Sequence, residues 1–283
     1  MKRFVLVMVT FISSLFLSGL TSNDIPTDIE KVNLKIKEDQ LAFTFLSLSS
    51  GEATLIQNSR GDNILINTGG PKTEGELKEL LTLYDINSFH SVILTKNDNE
   101  YKANIEYLSK NYLIGKTIVG EHLTDSKIRT TNNLITWKSG DKLELLPGLT
   151  VEVIQENEDA SGSLGMDLLL SFGKHELLYM TSSNTELEKN IILKRDLSSV
   201  NIIKVPEFAS NTGTSQKFLE HIDPQVAVIF QKRGLNVSQD VIERLQETWI
   251  DIYHTRQFGN ITIKCDEEDY DIITLSVESA NQI

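Results

Sequence analysis

Two carboxylate side chains follow a strongly apolar run in the first half of the chain. Residues Ser91–Thr95 read as a buried β-strand, and Asp98 and Glu100 come just after it. A third carboxylate, Glu207, follows the apolar run Val200–Val205. Carboxylate oxygens are the ligands that hard cations such as Mn²⁺, Mg²⁺ and Ca²⁺ prefer. Their positions along the chain do not by themselves assign these three carboxylates to one site.

Other residue types that bind metals or act as nucleophiles are poorly placed. No two of the five histidines are spaced His-x-His or His-x-x-x-His, so no pair shares one face of a strand or helix. The single cysteine, Cys265, allows neither an internal disulfide nor a cysteine-rich zinc site, and we expect it to be a half-buried strand residue. The sequence also lacks a glycine-rich phosphate loop and a Gly-x-Ser-x-Gly nucleophile motif.

The elements that must position these residues alternate between strands and helices. Short strands separated by turn residues open each half of the chain, and helices alternate with buried strands after them. Capping boxes at Thr73-x-x-Glu76 and Thr185-x-x-Glu188 predict the starts of two helices, and residues 100–110 predict another. We therefore expect an α/β fold, an αββα sandwich of two packed mixed β-sheets with helices on the outer faces.

Length and composition favour one folded domain behind an N-terminal targeting segment. The chain has 283 residues, of which 40% are hydrophobic. Lys2 and Arg3 precede the apolar stretch Phe4–Leu17, which is typical of a signal peptide and short for a membrane span. We predict a signal peptide or N-terminal membrane anchor at residues 1–22, a polar tether at 23–40, the folded domain at 41–278 and a tail at 279–283. Such a protein would be exported, and either secreted or anchored to the outer face of the cytoplasmic membrane.

The charge balance restricts the partners that the protein can bind. The chain carries 27 Lys and Arg against 40 Asp and Glu, a formal net charge of −13. Affinity for nucleic acid comes largely from basic residues that displace counterions from phosphates, so nucleic acid is disfavoured as a partner. Membrane contact is expected only through the N-terminal segment. The remaining expectation is a small molecule of unknown identity or an envelope protein.

Five loop segments carry a family resemblance through their order and spacing. They are Leu48–Ala53, Ile64–Gly69, Val92–Tyr101, Leu178–Ser183 and Lys204–Ser210. They resemble, in turn, Val-Gly-Gln-Gly-Asp-Ala, Leu-Ile-Asp-Thr-Gly, Thr-His-Pro-His/Asp-x-Asp-His, Leu-Leu-Thr-Gly-Asp and Lys-Val-Pro-His-His-Gly-Ser of the metallo-β-lactamase superfamily. Within that superfamily, the chain most resembles the soluble domain of the competence DNA-uptake channel protein and its stand-alone secreted relatives. The resemblance runs over roughly residues 39–277 and implies the same αββα sandwich.

In the resembling proteins, three of these loops supply the ligands of a catalytic metal, and here most of the ligands are replaced. The former metal-site positions are Lys96, Asp98, Glu100, Tyr101, Ser183, Glu207 and Phe208. Lys96 replaces the first histidine, and its ammonium, with a reference pKa near 10.4, would put positive charge where a dication should sit. Ser183 replaces a bridging aspartate, and Glu207-Phe208 replaces a His-His pair. Asp98 matches those relatives that carry aspartate at this position.

The resemblance therefore implies a protein that has lost zinc-dependent hydrolysis and acts by binding, with no catalytic residues and no metal. The polar residues would then line a pocket or form a cluster of ion pairs, with Lys96 between Asp98 and Glu100 or Glu207. The alternative is a phosphodiesterase-like hydrolase that uses Mn or Mg at Asp98, Glu100 and Glu207. A third possibility is a structural or partner-binding module of an envelope assembly.

Overall fold

The computed structural model describes residues 31–121, 133–158 and 164–276, and these residues form fifteen strands and seven helices. The strands are β1 (Leu41–Phe45), β2 (Thr54–Asn58), β3 (Asn63–Ile66), β4 (Ser88–Leu94), β5 (Leu113–Gly120), β6 (Leu134–Trp137), β7 (Lys142–Leu146), β8 (Leu149–Glu158), β9 (Leu164–Phe172), β10 (His175–Tyr179), β11 (Val200–Lys204), β12 (Val226–Ile229), β13 (Asp251–His254), β14 (Asn260–Cys265) and β15 (Tyr270–Leu275). The helices are α1 (Glu74–Leu83), α2 (Asn99–Lys102), α3 (Ile105–Asn111), α4 (Thr185–Lys194), α5 (Gln216–Ile222), α6 (Gln239–Glu247) and α7 (Thr255–Phe258).

The strands form two mixed β-sheets. The first sheet has the order β15-β14-β1-β2-β3-β4-β5-β6, antiparallel from β15 to β3 and parallel from β3 to β6. The second has the order β13-β12-β11-β10-β9-β8-β7, parallel from β13 to β10 and antiparallel from β10 to β7. Chain segments that follow the parallel strands of each sheet carry the former metal-site positions.

Alternation of side chains along the strands divides the apolar residues into three layers. One face of each sheet supplies the inner core, where residues such as Phe45 and Ile93 of the first sheet pack with Leu168 and Val228 of the second. The opposite face of the first sheet packs against α1 and α3, and that of the second against α4, α5 and α6. The predicted αββα sandwich is thereby confirmed. Cys265 lies in the inner core and is 2% exposed, so it is more deeply buried than the half-buried position predicted for it.

The single helix predicted over residues 100–110 is wrong, because two short helices, α2 and α3, meet at Asn104. The amide of Asn104 donates to the carbonyl of Thr68 at 2.6 Å and to the hydroxyl of Thr73 at 2.9 Å. Its backbone N–H also donates to the Thr68 hydroxyl at 3.2 Å. The break therefore fixes the loop after β3 against the helices, a tertiary contact that helix periodicity does not show.

The two helices predicted from the capping boxes are confirmed as α1 and α4, but the capping-box contacts are absent, because each glutamate bonds to a distant loop. The hydroxyl of Thr73 donates to Gly70 O, while Glu76 accepts from the backbone N–H and the hydroxyl of Ser49, each at 2.6 Å. Helix α4 is capped by Asn184, and the buried Glu188 accepts from backbone N–H groups of the segment before α5. In each case the carboxylate joins its helix to a distant loop, which a local sequence pattern does not reveal.

The predicted signal peptide or anchor at residues 1–22, residues 23–30 of the predicted tether and the tail at 279–283 lie outside the described residues. Within the rest of the tether, Val32 and Leu34 pack against the core beneath α1, and Val32 N donates to Leu83 O at 2.8 Å. None of the helices in the described residues is long and apolar enough to cross a membrane.

Candidate functional site

Three loops meet at one edge of the sandwich, where they follow β4, β10 and β11. The loop after β4 reaches across to the second sheet, because Met166 N donates to Thr95 O at 2.8 Å and Lys96 forms a bridge with Gly165. From the second sheet, the turn Pro206–Ala209 after β11 brings Glu207 and Phe208 to the same place. The structure therefore brings together four of the seven former metal-site positions: Lys96, Tyr101, Glu207 and Phe208.

These four residues, Lys96, Tyr101, Glu207 and Phe208, are called the centre below, and an ion pair lies among them. The ammonium of Lys96 donates to Glu207 Oε1, and the hydroxyl of Tyr101 donates to the same oxygen at 3.0 Å. Lys96 is 3% exposed and the Glu207 side chain 23%, so the lysine is buried and the carboxylate is partly open to solvent. Burial and the nearby carboxylates of Glu52 and Glu207 raise the pKa of Tyr101, which keeps its phenol protonated. Of the ion-pair cluster considered as one alternative, with Lys96 between Asp98 and Glu100 or Glu207, the structure shows the contact with Glu207.

Phe208 closes the centre from the side of the second sheet. Its ring lies 5.9 Å from the Tyr101 ring and is almost fully buried. Glu207, Phe208 and Ala209 have φ angles of 48°, 55° and 57°, a run of left-handed backbone without a glycine. Each such residue costs roughly 1–2 kcal/mol relative to right-handed backbone. The surrounding contacts must hold this turn, and Ser238 N donates to Ala209 O at 3.0 Å.

The carboxylates of Asp98 and Glu100 form hydrogen bonds outside the centre. Asp98 caps α2, where its side chain accepts from Glu100 N at 2.9 Å. Glu100 in turn accepts from the hydroxyl of Ser50 at 2.7 Å. Within residues 31–121, 133–158 and 164–276, no three His, Cys, Asp or Glu side chains are grouped so that they could hold a metal ion. Asp98, Glu100 and Glu207 therefore do not form a ligand set in this structure.

Ser183, the position of the bridging aspartate in the resembling proteins, belongs to a separate hydroxyl contact. Its hydroxyl lies 2.7 Å from the hydroxyl of Thr212. Gly213 packs so closely that a Cβ atom there would lie 2.8 Å from Ser183 Oγ. The side chain at this position thus joins the loop after β10 to the loop before α5.

Beneath the centre lies a buried ion pair that the sequence analysis did not identify. Lys204 Nζ lies 2.6 Å from Glu52 Oε2, and both side chains are 0% exposed. The ammonium also lies 4.5 Å from the centre of the Tyr179 ring, whose hydroxyl donates to Glu52 Oε2 at 3.4 Å. A lysine at the end of the apolar strand Val200–Lys204 is the one local signal, since lysine is almost never fully buried without a partner.

Burial dominates the ionisation of this pair. It raises the pKa of Glu52 to about 7, although the neighbouring Lys204 lowers it. It lowers the pKa of Lys204, and the charge of Glu52 opposes that shift. The second oxygen of Glu52, Oε1, has no hydrogen-bond partner among the described residues. The pair is therefore held in a site that favours neutral side chains over charged ones.

Asn67 connects the two sheets at the floor of the centre. It stands where the resembling proteins have an aspartate outside the metal ligands. The amide oxygen accepts from Thr95 N at 2.9 Å, and the amide nitrogen donates to the Tyr179 hydroxyl at 3.4 Å. Asn67 thereby fixes the end of β4, from which Lys96 extends.

The side chains of the centre do not fit the zinc that this type of fold holds in other proteins. Zinc sites use neutral imidazoles, thiolates and carboxylates with an open position for water. Here an ammonium, a phenol, a phenyl ring and a single carboxylate face each other. The only anionic donor among them, Glu207, is already neutralised by Lys96.

Comparisons with known proteins agree with the fold. The chain has 10% identity to the metallo-β-lactamase fold protein YhfI of Bacillus subtilis, with 80% of this chain and 100% of that one covered and a TM-score of 0.59. Zn²⁺-bound PqqB of Methylobacterium extorquens gives 11% identity, coverage of 79% and 99%, and a TM-score of 0.54. The chain therefore has the metallo-β-lactamase-like fold, and at these identities the likeness extends to the fold alone.

One curated protein is similar in sequence. Recombination protein 2 of Haemophilus influenzae is 25% identical over 195 residues, which are 66% of this chain. The match spans only 24% of the Haemophilus protein, so the chain corresponds to about a quarter of its length. No protein-family model matches the chain.

Proposed function

We propose that this is an extracytoplasmic protein of metallo-β-lactamase fold that has lost zinc-dependent hydrolysis and acts by binding a ligand or partner. The observation that carries the proposal is the contact of Lys96 and Tyr101 with one oxygen of Glu207. We take this contact to fill the position at which the resembling proteins hold a metal.

The electrostatics of the centre support loss of the metal. A divalent cation at this position would lie next to a buried ammonium, because Lys96 is 3% exposed and its charge is poorly screened by water. Binding would require Lys96 to leave Glu207 or to lose its proton, and either change has a free-energy cost. The rings of Phe208 and Tyr101 lie on the other sides of this position, and a phenyl ring offers no donor atom to a metal.

The second candidate is a hydrolase with a remodelled site that uses Mn²⁺ or Mg²⁺. What favours it is that Asp98, Glu100 and Glu207 are all acidic, and Glu207 is partly open to solvent. It would require Asp98 to release the N-terminus of α2 and Glu100 to release Ser50. This requirement makes it the weaker of the two candidates.

Hydrolysis assays separate the two candidates. The protein is purified without chelator and incubated with bis(p-nitrophenyl) phosphate and Zn²⁺, Mn²⁺ or Mg²⁺ in turn. Loss of catalysis predicts release of p-nitrophenol at the rate of metal and buffer alone, for the natural chain and for Glu207→Ala. Metal-dependent turnover that disappears in Glu207→Ala, with the circular dichroism spectrum unchanged, would establish the remodelled hydrolase instead.

The extracytoplasmic location is a separate part of the proposal and rests on the charge and apolarity of the first residues. Lys2 and Arg3 precede the apolar stretch Phe4–Leu17. We expect residues 1–30 to direct a fused alkaline phosphatase out of the cytoplasm of a bacterial host, where it becomes active. Phosphatase activity no higher than that of a fusion with Lys2→Glu and Arg3→Glu would contradict export.

A further inference from the structure

A cleft of 470 Å³ opens beside the centre, on the far side of Phe208. Its walls are the segment after β12, residues 230–237, and the residues around the start of α7. Clefts of roughly 300–1,000 Å³ are the size that proteins use for small ligands. The cleft is therefore large enough for a molecule of a few rings.

The charge of the cleft is opposite to that of the protein. Among its twelve lining residues are Lys232, Arg233, His254 and Arg256, and none is acidic. The whole chain has 40 acidic residues against 27 basic ones. Over the part of the chain that the structure describes, no carboxylate forms an ion pair with Lys232, Arg233 or Arg256. Three cations that form no ion pair among the described residues thus line one cavity.

The basic segment is held in place by the loop after β1. Gly51 N donates to Gln231 O at 3.0 Å, and Gln231 Nε2 donates to Leu48 O at 2.5 Å. Arg233 N donates to Ser50 Oγ at 3.0 Å, and its guanidinium donates to Ser49 Oγ at 2.6 Å. Glu76 reaches Arg233 only through the Ser49 hydroxyl. The wall is therefore pre-organised, which lowers the entropy lost on binding.

The exposed apolar part of the lining comes from an aliphatic residue. Phe208 and Phe230 lie beneath the cleft and are 2% and 1% exposed, while Leu235 is 40% exposed. Lys232 Nζ lies 5.6 Å from the centre of the Phe208 ring. His254 Nε2 is buried and has no hydrogen-bond partner among the described residues. A ligand in the cleft would therefore meet exposed apolar surface at Leu235.

We propose that this cleft binds a small organic anion whose phosphate group is held by Lys232, Arg233 and Arg256, with its apolar part against Leu235. Guanidinium groups match the oxygens of phosphate in charge and geometry. The apolar surface of Leu235 favours an organic phosphate over a bare phosphate. The net negative charge of the chain disfavours a long polyanion such as nucleic acid. This assignment rests on the proposed binding function, for which it supplies the chemical class of ligand.

Calorimetric titration with phenyl phosphate in metal-free buffer tests the cleft. We expect saturable binding of one molecule per chain, and weaker binding of inorganic phosphate. Lys232→Gln/Arg256→Gln should lower the affinity for phenyl phosphate at least roughly tenfold, because two charged contacts are lost. The matched control Lys78→Gln/Arg60→Gln removes the same charge from exposed positions outside the cleft and should leave the affinity within about twofold of the natural chain.

Two results would overturn the assignment. One is the absence of saturable binding, or an equal loss in both double variants, since the interaction would then be non-specific. The other is tighter binding of a single-stranded oligonucleotide with the same dependence on Lys232 and Arg256, which would make the cleft a nucleic-acid site. Metal-dependent release of phosphate from bound phenyl phosphate would support the cleft while refuting the proposed loss of hydrolysis.

Discussion

Lys204 and Glu52 form an ion pair from which solvent is fully excluded, with 2.6 Å between Nζ and Oε2. The pair joins β11 of the second sheet to the loop after β1 of the first, beneath the centre formed by Lys96 and Glu207. Removal of two charges from water is costly, and only their mutual attraction offsets it. The two side chains should therefore be strongly coupled in their effect on stability.

A double-mutant cycle measures this coupling. Glu52→Gln or Lys204→Met alone leaves a buried group without its counter-ion, and each should lower the free energy of unfolding by about 3–5 kcal/mol. The double variant should lose much less than the sum, as measured by urea denaturation. The exposed pair Lys174 and Glu268 serves as the control and should show a far smaller coupling. Additive losses at Glu52 and Lys204 would show that the pair does not interact as the structure indicates.

The raised pKa of Glu52 predicts how stability changes with pH. Its pKa is about 7 in the folded protein against a reference of 4.5, so the folded state binds more protons between these values. Stability should therefore fall as the pH rises from about 4.5 to 7, by at most about 1.4 kcal/mol per pH unit for this one group. The difference between the natural chain and Glu52→Gln/Lys204→Met isolates the effect. A difference that does not change with pH over this window would contradict the assignment.

The left-handed turn predicts an unusual response to glycine. Ala209 has a φ of 57°, a conformation that glycine adopts readily, while Ala227 is an equally buried alanine in β12. In Ala209→Gly, relief of backbone strain should offset the lost methyl group, so the free energy of unfolding should stay within about 0.5 kcal/mol of the natural value. Ala227→Gly should lower it by about 1–2 kcal/mol. Similar losses in thermal denaturation of the two variants would argue against a left-handed turn at Ala209.

Gly51 lies where the loop after β1 touches two other backbone segments. A Cβ atom there would lie 2.2 Å from Gly70 N and 2.4 Å from Glu100 O. Gly51→Ala should therefore lower the free energy of unfolding by more than about 3 kcal/mol, since the backbone itself must move. Gly61→Ala is the control, because Gly61 has a similar φ but open space around it, and should cost about 1 kcal/mol. Equal costs would show that the close approach at Gly51 is absent.

The sandwich was predicted from strand and loop patterns. Glu207 was one of two glutamates, with Glu100, that the family resemblance offered as a partner of Lys96. Buried strands alternate with helices, and the loops that follow parallel strands lie at one edge of a sheet. The pairing of Glu52 with Lys204 was not predictable in this way, since it joins residues far apart in the chain and neither residue has a local partner. The same reason explains why the capping-box contacts are absent, since Glu76 and Glu188 bind loops that are distant in the chain.

The basic cleft illustrates a second limit. Its cations come from two separate segments, residues 232–233 and 254–256, that become neighbours only in the folded chain. Each segment is too short to register as a basic run in the sequence. The negative net charge is a sum over the whole chain, so it does not reveal a local cavity that is lined by positive charges.

The central claim is that an ion pair has taken the place of a metal centre, and metal analysis tests it most directly. The protein is purified without chelator from cells grown with added zinc and manganese, and its metal content is measured by inductively coupled plasma mass spectrometry. We predict well below one transition metal ion per chain, with no increase in thermal stability on addition of Zn²⁺ or Mn²⁺. A stoichiometric transition metal that is lost in Glu207→Ala but retained in Glu79→Gln, an exposed glutamate on α1, would contradict the claim.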